Sequence, residues 1–290
     1  MGLLDEVRRR CADIAATARW VQIELERVAT VGRAPPPELD PVRHYLEGSR
    51  DDVGAYMLTL DAINFGSGWF PTLRKRPGCS GYFTVAWSLA DQWRSEGPWS
   101  AAELRRLDAR TVAAVLGQDP GHELMELYAR ALRDLGRFLG ERTALEAIAE
   151  SDGSAERLAE TLAGGMPFFD DCGFWKRAQI APNDLALAGV AEFHDLDRLT
   201  IFADNLVPHV LRVDGVLRYD ERLAAHIDAG ELLEPGEQER EIRACAVHAC
   251  ELIAERTGTP PRAIDMWLWN RGQAPRYKAI PRHRTRTVFY

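Results

Sequence analysis

Apolar side chains at Leu4, Val7, Cys11, Ile14, Ala18, Val21, Leu25 and Val28 recur at alternating spacings of three and four, which lays one stripe along a helix. The pattern predicts a single long helix up to Val28, docked on its own domain and closed by Ala34-Pro-Pro-Pro37. Residues 55–65 read as a buried helix or strand, followed by the loop Gly66-Ser-Gly-Trp-Phe-Pro71, whose glycines permit close backbone approach. The run between Ser80 and Ser88 is rich in aromatic and β-branched residues and predicts a strand in a small sheet. From Ser100 the pattern turns helical. Ser100-Ala-Ala-Glu103 is a capping box, and helices are predicted over 121–139, 141–150, 154–163, 174–189, 197–212, 220–228 and 236–257. The turn formers, aromatics and paired acids of Gly164–Gly173 interrupt this series with a composition too costly for a mere linker. With no internal repeat or linker, the expectation is one mainly α domain spanning 1–290 with a small β element.

Composition narrows what such a domain can do. The chain has 36 Lys+Arg against 44 Asp+Glu, a formal charge of -8, so its global field repels a polyanion and no stable nucleic-acid complex is expected. The exception is the segment from Arg276 to Tyr290, which holds five Lys/Arg and no acid. It is either a mobile basic end or, given the apolar Val288-Phe-Tyr290, a docked one. Five cysteines, an odd number without a Cys-x-x-Cys pair, read as reduced thiols used for packing. The N-terminus is charged at once, and no window approaches a membrane span, so a cytoplasmic protein without membrane contact is expected. Nothing in the sequence fixes an oligomeric state.

Whole reaction classes drop out on motif grounds. The sequence has no Gly-x-x-x-x-Gly-Lys phosphate loop, Gly-x-Gly-x-x-Gly, His-Glu-x-x-His or Gly-x-Ser-x-Gly. On a helix, Cys245 and His248 share a face while Cys250 points elsewhere, so no metal is expected there. What remains is a set of carboxylates in apolar or aromatic surroundings: Asp61, Asp170 with Asp171, Asp204 and Asp265. Each could cap a helix or pair with an arginine. Beside aromatics, a carboxylate also suits glycoside cleavage, because it can stabilise or trap an oxocarbenium ion at the anomeric carbon.

Four segments carry a more specific signal: Leu60-Asp-Ala-Ile-Asn-Phe65, Phe174-Trp-Lys-Arg-Ala-Gln-Ile180, Leu199-Thr-Ile-Phe-Ala-Asp-Asn205 with Val207-Pro-His209, and Pro281-Arg-His-Arg-Thr-Arg286. Together they resemble the queuosine salvage protein family, queuosine 5'-phosphate N-glycosylases that release the base queuine, over about 44–290. The resemblance implies a fold like that of the helical DNA glycosylases, with Leu185–Val190 as a hairpin between helices that presents the carboxylate. It implies Asp204 as the catalytic carboxylate, Phe202 lining the base pocket, Lys176 near the scissile nucleotide, and Asp265, Asn270 and His44 binding the base and its side arm. One departure stands out: Asp204 is followed by Asn205-Leu206, where some family members carry Tyr-Arg.

The chemistry fits that division. Queuine is a 7-deazaguanine with carbon in place of N7, so protonation at N7 cannot improve the leaving group, and the sugar side must supply more of the push. Its side arm holds a cationic secondary amine, for which Asp265 is a suitable partner. Lys176, Arg177, Arg284 and Arg286 are the candidates for a 5'-phosphate. A small nucleotide substrate, no cofactor and no metal are therefore expected. Two other readings stay open: a glycosylase flipping a modified base from nucleic acid, which would need a basic face, and a non-catalytic nucleoside-binding module.

Overall fold

The computed structural model describes residues 2–171 and 173–290. Among these residues the elements run α1 (Leu3–Ala16), β1 (Val21–Ile23), α2 (Leu25–Val28), α3 (Arg50–Ala62), α4 (Gly81–Glu96), α5 (Ala101–Leu104), α6 (Ala109–Leu116), α7 (Glu123–Leu139), α8 (Ala144–Ala149), α9 (Ala155–Gly165), α10 (Lys176–Leu187), α11 (Leu206–Val213), β2 (Leu217–Tyr219), α12 (Glu221–Asp228), α13 (Glu237–Thr257), α14 (Pro261–Arg271) and α15 (Pro275–Lys278). The mainly α expectation is met, and the sheet is one antiparallel pair with Val21 opposite Tyr219 and Ile23 opposite Leu217. The buried apolar residues form one continuous core. On one side of it α3 touches α4, α7, α8 and α10; on the other α11, α13 and α14 pack together, with α1 lying along α13. The predicted capping box at Ser100 is present, and two more start α3 at Ser49 and α8 at Thr143.

Three predicted elements take another form. The long first helix stops at Ala16, and the chain turns through Arg19 and Trp20 into β1. Here Glu241 of α13 overrides local periodicity: its buried carboxylate accepts the N–H groups of Arg19 (2.9 Å), Trp20 (2.7 Å) and Val21 (3.1 Å). Val21 and Val28 are buried as predicted, but from separate elements. The predicted strand over 80–88 is the start of α4. Ser80 caps it by accepting the Phe83 N–H at 3.2 Å, and Thr84, Val85, Leu89, Ala90 and Trp93 fill its buried face. The β-rich window was shorter than the helix it opens, and packing outweighed propensity. Gly81 is needed there, because a Cβ would meet the Phe70 ring at 2.4 Å.

The predicted helix over 197–212 is the third. A short 3-10 turn at Leu196–Arg198 leads into an open segment, and α11 begins only at Leu206. Nor do Leu185–Val190 form a hairpin that presents Asp204. They end α10 in a Schellman motif, with Gly189 at φ +70, its N–H donating to Ala186 (3.1 Å) and the Val190 N–H to Leu185 (2.9 Å).

Candidate active site

The segment 199–205 is held open by buried side chains that take over its backbone hydrogen bonds. Gln179 Oε1 accepts the Thr200 N–H (2.9 Å), Asp265 Oδ1 accepts the Phe202 N–H (2.8 Å), and Arg243 Nε donates to the Ala203 carbonyl (2.8 Å). Helices α10, α13 and α14 each contribute one of these groups. The effect is to bring Asp204 to the start of α11, where Oδ1 accepts the N–H groups of Leu206 (2.7 Å) and Val207 (3.0 Å). Two free donors at a helix N-terminus suit a carboxylate. The Asp204 side chain also lines a cavity of about 1040 Å³ between the two halves of the core, so it caps a helix and faces that space.

Lys176, Asp204, Asp265, Phe202, His44, Asn270 and Arg284, far apart in sequence, all line this cavity. Lys176 is buried, and its Nζ donates to the Asn64 carbonyl at 3.1 Å. Burial pulls its pKa down, while the nearby Asp204, Asp61 and Asp265 oppose that pull. Burial drives Asp265 the other way, well above the usual carboxylate range, reinforced by the charge of Asp204. His44 is fixed at both ring nitrogens. Nδ1 faces the Asp40 carbonyl at 2.9 Å, so it carries the proton, and Nε2 accepts the Tyr82 hydroxyl at 3.0 Å. Burial lowers its pKa and keeps the ring neutral. Tyr82 and Phe83 meet Trp269 edge-on at 5.3 Å and 5.4 Å, so an aromatic wall adjoins His44. Phe202 is buried against the cavity, and Asn270 stands exposed at its edge.

The basic segment 276–290 is docked. The Asn205 amide donates to the His283 carbonyl (3.1 Å), the Leu233 N–H to Arg284 (2.9 Å) and the Gly66 N–H to Tyr290 (2.9 Å). The glycine loop makes this possible: a Cβ on Gly68 would sit 2.4 Å from the Thr285 carbonyl oxygen. In the extended chain His283 and Thr285 turn into the protein, while Arg282 and Arg284 line the cavity. Arg282 has no hydrogen-bond or ion-pair partner among the described residues and lies within electrostatic reach of Asp204.

Several candidates fall outside the cavity. Arg286 is exposed, 3.8 Å from Glu123 and over the Trp69 ring. Arg177 is buried between Phe65 and Phe169 and donates to the Ala62 (2.7 Å), Phe168 and Val288 (2.7 Å) carbonyls, a structural clamp rather than a phosphate ligand. Asp170 binds Trp175 Nε1 (3.1 Å). Asp171 caps α10 through the N–H groups of Phe174 (3.1 Å), Trp175 and Lys176 (3.2 Å), and pairs with buried Arg243 at 2.7 Å. The paired acids therefore shape the site from behind. Cys11, Cys245 and Cys250 are buried and Cys79 is half-buried, all free thiols; Cys172 lies outside the described residues.

Sequence reasoning missed Asp184, Tyr82 and Arg282, all in the cavity lining. A signal for Asp184 existed. Lys176, Ile180 and Asp184 stand four residues apart on one face of α10, and all three line the cavity. Tyr82 had no such signal, because its segment read as a strand.

Comparison with known proteins gives a consistent result. A family model described as queuosine salvage protein matches residues 44–290. A queuosine 5'-phosphate N-glycosylase/hydrolase of Sphaerobacter thermophilus is 33% identical over 324 aligned positions, covering 100% of this chain and 98% of its own. Proteins of the same description from Mus musculus and Bos taurus are 32% and 33% identical, each over 58% of both chains.

Proposed function

Because the chain belongs to the queuosine salvage protein family, we propose that it hydrolyses the N-glycosidic bond of queuosine 5'-phosphate, releasing queuine and ribose 5-phosphate for salvage. The observation that carries this reading is Asp204, held at the N-terminus of α11 by two backbone donors while its side chain lines a large cavity. In this role Asp204 faces the anomeric carbon and stabilises, or covalently traps, the oxocarbenium ion as the base departs; water then completes hydrolysis. Lys176 orients the reacting nucleotide beside it. Phe202 and the Tyr82–Trp269 wall offer ring surfaces to the base, and Asp265, Asn270 and His44 offer polar groups to the base and its side arm. Arg282 and Arg284 are suited to the 5'-phosphate, since two guanidiniums from one docked strand can meet a dianion together.

The net charge of -8 and the concave, residue-lined cavity favour a free nucleotide over a polymer. The test is to incubate purified protein with queuosine 5'-phosphate, queuosine and queuosine-containing tRNA, and to follow free queuine by mass spectrometry. Release from the nucleotide ahead of both others is expected. Release from none would overturn the enzymatic reading, and preference for tRNA would replace it with polymer cleavage.

A further inference from the structure

Four carboxyl groups, Asp61, Asp184, Asp204 and Asp265, lie within electrostatic reach of Lys176. Two have duties described above: Asp204 faces the sugar, and Asp265 holds the Phe202 N–H. The fold gives the other two little to do. Asp184 lines the cavity, and among the described residues its side chain takes one hydrogen bond, from its neighbour, the Asn183 amide, to Oδ1 at 3.0 Å. Asp61 of α3 is wholly buried, and among the described residues neither of its oxygens meets a donor at hydrogen-bonding geometry, with the Asn64 side chain its nearest polar neighbour in effect. A buried carboxylate without donors is too costly to stay ionised.

We propose that Asp184, backed by Asp61, is the general acid that protonates the departing deazapurine. The proton for the base and the stabilisation of the sugar then come from different carboxyl groups. This rests on the reading of the cavity as a queuosine nucleotide site. As the C1'–N9 bond breaks, its electron pair leaves on the base, and the charge spreads to the acceptors of the pyrimidine ring. The Asp184 O–H gives its proton to one of these acceptors, leaving a carboxylate. Water then delivers hydroxide to C1', and its remaining proton returns to Asp184. No co-reactant beyond water is needed. A ring without N7 gains more from this donor than an ordinary purine would.

The surroundings of Asp184 favour the protonated form. Asp61 and Tyr56 face it from α3, Tyr82 from α4 and Asp265 from α14; Lys176 of its own helix is the cation nearest in effect, and Arg177 of the same helix acts on Asp61. Helix α10 also packs against α9, whose buried residues Ala155, Leu158, Ala159 and Leu162 carry no charge. Burial lifts Asp184 to about 6 and lifts Asp61 further, well above the carboxylate range, with the charge of Asp184 adding to the rise of Asp61. Asp61 thus stays neutral beside Asp184 and adds no competing negative charge.

The test is kcat against pH with queuosine 5'-phosphate for wild type, Asp184→Asn and Asp61→Asn, with each fold checked by circular dichroism. Wild-type kcat should fall on the alkaline side as Asp184 loses its proton. Asp184→Asn should lose about 10²- to 10⁴-fold in rate, and the alkaline limb with it. Asp61 still holds its proton while Asp184 titrates, so Asp61→Asn, which is neutral as well, should leave the alkaline limb in place. An Asp184→Asn enzyme that keeps the limb, or loses less than tenfold, overturns the proposal, as does an Asp61→Asn enzyme that loses the limb, since Asp61 would then be the proton donor. If Asp184→Asn fails to fold, Asp184→Glu decides: it keeps a proton donor at the same position and should keep an alkaline limb, and a folded Asp184→Glu enzyme without one overturns the proposal. A wild type that releases no queuine would instead overturn the reading of the site.

Discussion

Asp204 has two acceptor oxygens with different surroundings. Oδ1 is taken by the backbone at the start of α11, and the side chain also borders the cavity. Asparagine can keep the cap but not the negative charge. Asp204→Asn should therefore fold with an unchanged melting temperature while kcat falls by at least about 10²- to 10³-fold, the scale of losing one electrostatic stabiliser. Loss of fold together with activity would reduce Asp204 to a cap. Arg282 makes a different prediction, because no group among the described residues uses its guanidinium. Arg282→Ala should raise KM for the 5'-phosphate by roughly 10- to 100-fold, the value of one or two charge-assisted hydrogen bonds, and leave KM for the unphosphorylated nucleoside nearly unchanged. Steady-state kinetics on both substrates checks this; an equal effect on the two would remove Arg282 from phosphate recognition.

At the scale of elements, the decisive piece is the open segment between α10 and α11. Its apolar residues Leu199, Ile201 and Phe202 are buried and read as helical by spacing, yet the backbone is claimed by Gln179, Asp265 and Arg243. Gln179 lies fully buried and outside the cavity lining. Gln179→Leu should orphan the Thr200 N–H, cost about 1–3 kcal/mol and lower kcat as Asp204 loses its placement. Thermal unfolding and turnover should fall together; unchanged turnover would show that the segment positions nothing. The Asp171–Arg243 pair supports the same arrangement from below, joining the cap of α10 to the Ala203 carbonyl. Asp171→Ala leaves Arg243 without its closest buried partner and should cost about 3–5 kcal/mol in chemical denaturation, the range for breaking a buried pair. A cost under 1 kcal/mol would contradict the buried geometry.

Across the whole molecule, docking of the tail completes both core and cavity, and it buries His283 with neither ring nitrogen partnered among the described residues. Burial, with Arg282 close by, pushes its pKa down to about 3, below the ordinary 6.5. Between those values the unfolded chain binds the proton and the folded one does not, so this residue's contribution to stability falls as pH drops below about 6.5. Asp184 and Asp61 act in the opposite sense, being raised, so the effect is best read by difference. His283→Gln should narrow or reverse its melting-temperature deficit relative to wild type on going from pH 7.5 to pH 5. A constant gap between the two proteins would show that His283 does not titrate on unfolding.

By itself the sequence determined the helical class, the Ser100 capping box, the glycine loop with its close approach, and the four segments that carry the family resemblance. Each is local: it depends on spacing, on a cap within a few residues, or on a motif read in a row. The end of the first helix, α4 in place of a strand, and the open chain before Asp204 were decided elsewhere. Glu241, the core face of Thr84–Trp93, and the trio Gln179, Asp265 and Arg243 act from distant helices, and no window contains both sides of such a contact. The same holds inside the site. Asp204, Lys176 and Asp265 could be named from their motifs, but Asp184 gains its meaning only against Asp61 across α3 and α10, and Arg282 only once the tail is docked. Burial and pairing are properties of the packed interior, where the electrostatics of a carboxyl or guanidinium are set by neighbours that tertiary structure alone brings near.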